Sequence, residues 1–328
     1  MARKGRKWLV VDGHCDVLLK LWRNPHLDVR NAKELQVNVE GMKRAGMAIQ
    51  SFAIYVPQEV YAAQQLQVAL SMIDHFYERL VHQAGVRPVL SWEDVEMKES
   101  GPSIGGMLTL EGAGVLQGSL ENLRILHRLG VRAVGLTWNF RNEVADGVLE
   151  SEPAGLSNFG RRVVAEMNRL HMMIDVAHLA EPGFWQVLEC SRQPLMCSHA
   201  NVYDVVAHPR NLRKSQLEAL FNSGGMLGLT FVPTFLVGDG AARKGMTYLL
   251  RHLDAACALG GVRQVGFGSD FDGMERSLPD FSRVENYTRV AEELLKYYKE
   301  DWVRGFLSQN WLNYYRQFLS QQASAQNV

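Results

Sequence analysis

The sequence predicts a (β/α)8 TIM-type barrel, because eight apolar runs alternate with segments of helical periodicity. The runs are mostly continuous in apolar residues, which is typical of parallel strands buried on both faces. They cover residues 8–11, 46–55, 105–110, 131–138, 172–177, 194–198, 225–231 and 264–269. An open doubly wound sheet is the alternative, but no GxGxxG sequence follows the first run and no Walker sequence occurs. We therefore expect a single barrel domain with C-terminal helices over residues 1–328.

Helical patterns fill the intervals between the apolar runs, as strand–helix units require. In the first of them, apolar residues recur every three or four positions from Leu66 to Phe76. Ser119 and Ser157 are predicted N-caps of the next two helices, and Gly130 is a usual stop residue. The six predicted helices span residues 61–85, 119–130, 157–171, 215–225, 245–261 and 284–300.

Charge, hydropathy and cysteine content exclude several classes of protein. The 35 basic residues balance 35 acidic ones, which argues against a nucleic-acid partner. The apolar run WLVV that follows the basic N-terminus is too short for a secretory signal, and no run is long enough to span a membrane. Four cysteines without a CxxC pair are no disulfide framework. These features predict a cytoplasmic protein without membrane or nucleic-acid partners.

Metal-binding and proton-transferring side chains follow most of the apolar runs. In a barrel the carboxyl ends of all strands meet at one rim, where active sites lie, so we expect these residues to converge. Trp138 and Asn139 end the fourth run. The ionisable residues that follow the other runs are His14, Asp16, Glu111, His178, His199 and Asp270.

The stretch VDGHCD, residues 11–16, is consistent with half of a metal site, a reactive cysteine or a polar strand exit. Side chains alternate along a strand, so His14 and Asp16 point the same way while Cys15 points into the strand–helix packing. Taken singly, the remaining candidates have structural explanations too, such as a core histidine at His178 or a turn at Asp270. The other histidines are interpreted as surface or capping residues: His26, His75, His82, His127, His171, His208 and His252.

Considered together, these residues predict a metal centre. Histidine and carboxylate ligands without thiolates suit Zn²⁺ or a neighbour such as Mn²⁺. Five ligands exceed the needs of one catalytic zinc ion but fit two, with one carboxylate between them. The remaining residue, Asp270, is then free to act as acid and base.

The sequence resembles the membrane dipeptidase (renal dipeptidase) family of metallopeptidases over nearly its whole length. The resemblance is carried, in order, by VDGHCD, LTLEGAG, GLSNFGRRVVAEMNRLHMMIDVAH, PLMCSHAN, HPRNL and VGFGSDFDG. It implies a barrel related to the amidohydrolases that holds two Zn²⁺ ions, with Mn²⁺ or Co²⁺ as substitutes.

The resemblance also implies a role for each site residue. His14 and Asp16 would bind one zinc ion, His178 and His199 the other, and Glu111 would bridge them. Asp270 corresponds to the catalytic aspartate and Arg210 to the arginine that binds the terminal carboxylate of a dipeptide. The expected reaction is hydrolysis of dipeptides, including L-D dipeptides, by a metal-bridged hydroxide.

One position departs from the pattern of the family's animal members. They carry a histidine after the fourth strand that helps to hold the substrate carbonyl or its oxyanion, and Trp138 stands there in this chain. An indole N–H donates one hydrogen bond but carries no charge. Trp138, Asn139 or the second metal ion must therefore take over this task, or the substrate range differs.

Three other functions compete with a dipeptidase. The first is another binuclear-metal amidohydrolase that acts on a cyclic amide, β-lactam or lactone; Arg210 argues against a neutral ring. The second is a non-catalytic metal- or peptide-binding barrel, which would be expected to have lost some ligands. The third is a metal-free phosphate-binding barrel, but VPTFLVGDG after the seventh run offers no convincing phosphate grip. A homodimer is compatible with this fold.

Overall fold

The computed structural model describes residues 8–96, 103–238 and 245–322. The basic segment 1–7 and residues 323–328 of the polar tail, used in the expectations about targeting, lie outside the described residues. The same is true of residues 239–244, which include the last two residues of the stretch VPTFLVGDG. Among the described helices, none is long and apolar enough to cross a membrane.

Eight parallel strands form a closed barrel, which confirms the fold expected from the apolar runs. Each strand pairs with the next along the chain, and the last pairs with the first through Asp12 and Phe267. A two-residue strand, Arg87–Pro88, pairs in parallel with the start of the third. The barrel strands are β1 Val10–Cys15, β2 Met47–Tyr55, β3 Gly105–Glu111, β4 Val131–Gly135, β5 Met173–Asp175, β6 Met196–Ala200, β7 Met226–Leu229 and β8 Val265–Phe267.

The α-helices lie between the strands and after the last of them. Ser119 and Ser157 cap α5 and α6 through their side chains, as predicted. The α-helices are α1 Val17–Arg23, α2 Val39–Ala45, α3 Ala62–His75, α4 Trp92–Glu96, α5 Leu120–Arg128, α6 Asn158–Arg169, α7 Glu181–Cys190, α8 Lys214–Asn222, α9 Pro233–Leu236, α10 Gly245–Ala258, α11 Tyr287–Leu294, α12 Glu300–Arg304 and α13 Asn310–Gln322. Shorter 3-10 or π-helical segments are Phe76–His82, Ala113–Leu116, Gly261–Arg263, Val284–Asn286 and Gly305–Gln309.

Two predictions about the helices and their residues were wrong. The last predicted helix does not continue to residue 300: bonds from Lys296 to Glu293 and from Tyr297 to Leu294 tighten its end into a turn. His252, interpreted as a surface or capping residue, is fully buried in the core.

His252 is buried because it joins two connections of the barrel. Its Nδ1 accepts from the Val202 N–H at 3.1 Å, and its Nε2 donates to the Leu236 carbonyl at 2.9 Å. Burial lowers the pKa of this histidine to about 4, so it is neutral at pH 7 and can fill both roles.

Helix α13 closes the end of the barrel opposite the carboxyl rim. Trp311 is fully buried in a cluster with residues of seven of the eight barrel strands, among them Val11 and Met107, and donates from Nε1 to the Phe267 carbonyl at 2.9 Å. Gly13 makes room for it, since a Cβ there would collide with the indole ring. Because this end of the barrel is filled by apolar side chains, the polar side chains lie at the opposite rim.

Candidate metal centre and active site

The six ionisable residues predicted after the strands meet at the carboxyl rim of the barrel. His14 lies in β1, and Asp16 precedes α1 directly after it. Glu111 ends β3 and His199 lies in β6. His178 and Asp270 lie in the connections that follow β5 and β8. Cys15 is fully buried in the larger apolar core, away from this cluster.

Glu111 lies between the two sides of the cluster. Its Oε1 atom is 2.9 Å from His178 Nε2 and 3.7 Å from His199 Nε2. Its Oε2 atom is 3.4 Å from His14 Nε2. One carboxylate therefore offers one oxygen to each side, which is what a ligand shared by two cations requires.

The two aspartates lie on the His14 side. Asp16 Oδ2 is 3.4 Å and Asp270 Oδ1 is 3.9 Å from His14 Nε2. One donor atom from each of these three residues lies within 4.8 Å of the others, and the same holds for His14, Glu111 and His199. The Asp270 side chain is 15% exposed, against 4% for Asp16, so Asp270 is the more open to a substrate.

The orientation of the two other histidines fits a metal ion. His178 Nε2 and His199 Nε2 are 2.8 Å apart. His178 Nδ1 is 2.8 Å from Asn139 Oδ1, an atom that can only accept, so this ring carries its proton on Nδ1 and a lone pair on Nε2. His199 Nδ1 is likewise engaged, by Ser198 Oγ at 2.8 Å. Both Nε2 atoms are thus directed at one point, as ligands of a common cation are.

Buried polar atoms without partners support the same fit. Among the described residues, His14 Nε2 and Asp16 Oδ1 are buried and have no hydrogen-bond partner. Such atoms in a native protein call for an ion, a water or a functional reason. The donor set therefore fits divalent metal ions.

The electrostatics of the cluster keep His178 and His199 neutral. Burial, followed by the charge of Arg210, lowers the pKa of His178 to about 3. Burial and the charge of His14 lower the pKa of His199 well below its usual range. A neutral imidazole is the form that binds metal.

The carboxylates on the other side of the cluster favour positive charge. Burial alone would lower the pKa of His14, but Glu111 and Asp16 outweigh it and raise this pKa well above its usual range. Burial and the charge of Asp16 raise the pKa of Asp270 well above that of a free aspartate. Both shifts arise because several carboxylates lie close together at a buried site, where a bound cation would offset their charges.

Two of the site residues have left-handed backbones. His178 and Asp270 both have φ of 64°. This conformation costs roughly 1–2 kcal/mol for a residue other than glycine, so the surrounding structure must hold it in place.

Gly273 is a residue of the site that the sequence reasoning missed. A Cβ atom at this position would collide with the carboxylates of both Asp16 and Asp270. The backbone of Gly273 thus lies directly against the two aspartates, and a side chain at this position would have to displace their carboxylates. The sequence contained a weak signal, because Gly273 ends the GSDFDG stretch.

Arg210 lies beside His199 and faces a cavity at the rim. The residue is 4% exposed, and its Nη2 atom donates to the His199 carbonyl at 2.9 Å. Its Nε atom is buried without a partner among the described residues. The cavity has a volume of about 290 Å³, and its lining includes both His178 and Arg210. A guanidinium group with a spare donor beside such a cavity suits a carboxylate ligand.

Trp138 and Asn139 occupy different places at the rim. The Trp138 ring lies with its centroid 5.2 Å from that of Tyr55 and 6.0 Å from that of His178. Together with Glu111 it lines a second cavity of about 180 Å³. Asn139, expected among the substrate-binding groups, contacts His178 through its side chain. Tyr55 was missed because it counted as the last apolar residue of its run.

Comparisons of the sequence and of the structure with known proteins point to the same family. The model of the family "Membrane dipeptidase (Peptidase family M19)" matches residues 5–327. The crystal structure of the dipeptidase AC, a metallo peptidase of family M19, is 32% identical with a TM-score of 0.89, and the match covers 96% of this chain and 100% of that one.

Two further proteins show a similar sequence identity to this chain. A metallo peptidase from Rhodobacter sphaeroides, liganded with a phosphinate mimic of the dipeptide L-Ala-D-Ala, is 31% identical with a TM-score of 0.88 over 96% of this chain and 100% of that one. Dipeptidase aclJ of Aspergillus oryzae is 34% identical over 236 residues, which cover 71% of this chain and 54% of the relative.

Proposed function

The chain belongs to the membrane dipeptidase family, peptidase family M19, and is a metal-dependent hydrolase of the dipeptidase class; from this premise we propose that it cleaves dipeptides at a centre of two Zn²⁺ ions. His14 and Asp16 would hold one ion, His178 and His199 the other, and Glu111 both. The observation that carries this assignment is the position of Glu111, with Oε1 2.9 Å from His178 Nε2 and Oε2 3.4 Å from His14 Nε2. Mn²⁺ and Co²⁺ suit the same ligands.

The protein supplies the proton transfers of the reaction. When bound, the two ions supply a hydroxide near neutral pH and polarise the scissile carbonyl. Asp270, the more exposed of the two aspartates, takes the proton of the attacking water and delivers it to the leaving amine. Its place beside Asp16 and His14, two proposed ligands of one ion, supports this role.

Arg210 would select the length of the substrate. A fork of N–H donors binds the terminal carboxylate and fixes the distance from there to the scissile bond, which limits the substrate to two residues. Asn139 would hold His178 in the tautomer that leaves Nε2 free, and Trp138 would form the wall against the acyl side of the substrate. All of these residues belong to one barrel, so we propose that residues 1–328 act as a single domain.

We include L-D dipeptides among the proposed substrates. The relative from Rhodobacter sphaeroides was obtained with a phosphinate mimic of L-Ala-D-Ala. A phosphinate is tetrahedral, as is the carbon that water has attacked. With 31% identity over 96% of this chain, that complex supports a relaxed configuration at the second residue.

Metal removal combined with a substrate panel tests the proposed function. We expect about two zinc ions per chain by elemental analysis, hydrolysis of L-L and L-D dipeptides, loss of activity on chelation, and recovery when zinc is returned. Tripeptides, lactones and cyclic amides serve as controls in the same assay. Full activity with a metal content near zero would contradict the proposal, and faster turnover of the ring substrates would move the enzyme to another class of amidohydrolase.

Shortening Arg210 to alanine is expected mainly to raise the KM for dipeptides. Loss of a buried charge-assisted fork costs about 2–5 kcal/mol of binding, or roughly 30- to 5000-fold in KM. The measurement is a comparison of kcat and KM on a dipeptide and on the same dipeptide with an amidated C-terminus. The substitution should raise the KM of the free acid far more than the KM of the amide. An unchanged KM for the acid would remove Arg210 from the site.

A further inference from the structure

Two buried carboxylates beneath the rim have no role in the proposed chemistry. Asp12 lies in β1 and is 0% exposed, and Asp175 ends β5 and is 7% exposed. Neither forms an ion pair with any residue that the structure describes. A buried carboxylate without a counter-charge is costly, so its remaining contacts need an explanation.

Asp12 joins the first strand to the last. Its Oδ1 atom accepts from the His14 N–H at 3.2 Å and from the Ser269 N–H at 2.9 Å. His14 is a proposed metal ligand in β1, and Ser269 directly precedes Asp270 after β8. The carboxylate therefore fixes the backbone of both strand ends on the side of the centre where His14, Asp16 and Asp270 lie.

Asp175 repeats this arrangement on the other side of the centre. Its Oδ1 atom accepts from the Ala177 N–H at 3.0 Å and from the Ser198 N–H at 2.9 Å. Ala177 directly precedes His178, and Ser198 directly precedes His199. In both places an aspartate Oδ1 accepts one N–H from two residues further along its own segment and one N–H from a residue in or just after the neighbouring strand. Asp175 thus joins β5 to β6 as Asp12 joins β1 to β8.

The bonds also coincide with the strained parts of the backbone. His178 and Asp270, the two site residues with φ of 64°, each follow a residue whose N–H is held by one of these carboxylates. A left-handed residue at the end of a strand keeps its conformation only if its neighbours are held. Simple filling of the core would not require an acceptor at this point on both sides.

We propose that Asp12 and Asp175 are positioning residues of the metal centre, each of which fixes the backbone that carries the ligands of one half. This inference rests on the proposed two-ion site. Asp12 fixes the position of His14 and of the turn that carries Asp270, and Asp175 fixes the positions of His178 and His199. Each acts as a fixed hydrogen-bond acceptor for two backbone N–H groups, so the position of its oxygen matters more than its charge.

The experiment measures zinc affinity in two single-site backgrounds. His199→Ala leaves the half with His14 and Asp16, and Asp16→Ala leaves the half with His178 and His199. Into each background we place Asp12→Ala or Asp175→Ala, with Asp12→Asn and Asp175→Asn as matched variants that keep an acceptor oxygen. The metal-free proteins are titrated with Zn²⁺ against a chromophoric chelator, and circular dichroism verifies the fold.

The expected result is a crossed pattern. Asp12→Ala should lower zinc affinity about 10- to 100-fold, the usual effect of groups that orient metal ligands, in the His199→Ala background only. Asp175→Ala should do the same in the Asp16→Ala background only, and both Asn variants should retain the affinity of their background. Equal losses in both backgrounds, or none in either, would overturn the inference.

Two further provisions keep the test decisive. If an alanine variant does not fold, Asp12→Glu and Asp175→Glu replace it, because they keep the charge but move the acceptor, and the same crossed loss is expected. Wild-type protein that binds fewer than two zinc ions would contradict the proposed function itself. That outcome is separate from the crossed pattern, which each single-site background reports independently.

Discussion

Asp270→Asn is expected to lose most of its turnover while retaining its metal ions. The loss in kcat should be about 10²–10⁴-fold, the usual contribution of a positioned acid–base group. Asparagine has the shape of aspartate and tolerates the left-handed φ of 64° at this position, so the turn should be preserved. It cannot take up a proton from water or pass one to the leaving amine. The measurement pairs kcat on a dipeptide with the zinc content of the same preparation.

Asp272→Asn is the matched control for this variant. Asp272 lies in the same turn with a similar left-handed backbone, φ of 68°. Its carboxylate faces away from the metal centre and accepts from the N–H groups of Gln36 and Val37 at 2.9 and 3.0 Å. Substitution there should leave most of the turnover in place, although it weakens the attachment of the residue 36–37 segment.

Two outcomes would contradict the role of Asp270. Full turnover in Asp270→Asn would show that another group carries the proton. If the variant lost one zinc ion as well as its activity, Asp270 would be a metal ligand rather than an acid–base group. Its oxygen lies in a compact group with donor atoms of His14 and Asp16.

The sequence predicted the barrel and the polar residues at its carboxyl rim because both depend on patterns local to each strand. An apolar run marks a buried parallel strand, and the first polar residue after it marks the rim, so the positions of Glu111 and His199 follow without knowledge of any distant contact. Cys15, which lies between two site residues in the sequence, was also placed correctly in the apolar core, because alternation along a strand is a local rule.

The features that sequence reasoning missed depend on contacts between distant segments. His252 has the sequence context of a surface histidine, and only the approach of Val202 and Leu236 makes it a buried link. Asn139 contacts a histidine that is 39 positions away. The alternation rule also gave no warning that Asp12 would accept from Ser269, at a separation of 257 positions.

Glu111→Gln is expected to have the largest effect of any single substitution at the centre. The carboxamide keeps one acceptor oxygen but presents an N–H₂ group, which binds no metal, to the other side. We expect zinc affinity to fall on both sides by more than the roughly 10- to 100-fold effect of groups that only orient ligands, and turnover to fall with it. Glu143→Gln, at an exposed glutamate that lines the same cavity as Glu111, is the matched control and should retain both metal and activity.

The stoichiometry of Glu111→Gln distinguishes a shared ligand from a one-sided one. Two dications held close together repel each other, and a carboxylate between them offsets that repulsion as well as binding each of them. Its loss should therefore release both ions at zinc concentrations that saturate the wild type. Retention of one tightly bound ion would show that Glu111 serves only the side of His178, where its Oε1 lies at 2.9 Å, and that the 3.4 Å approach of Oε2 to His14 is an ordinary ion-pair contact.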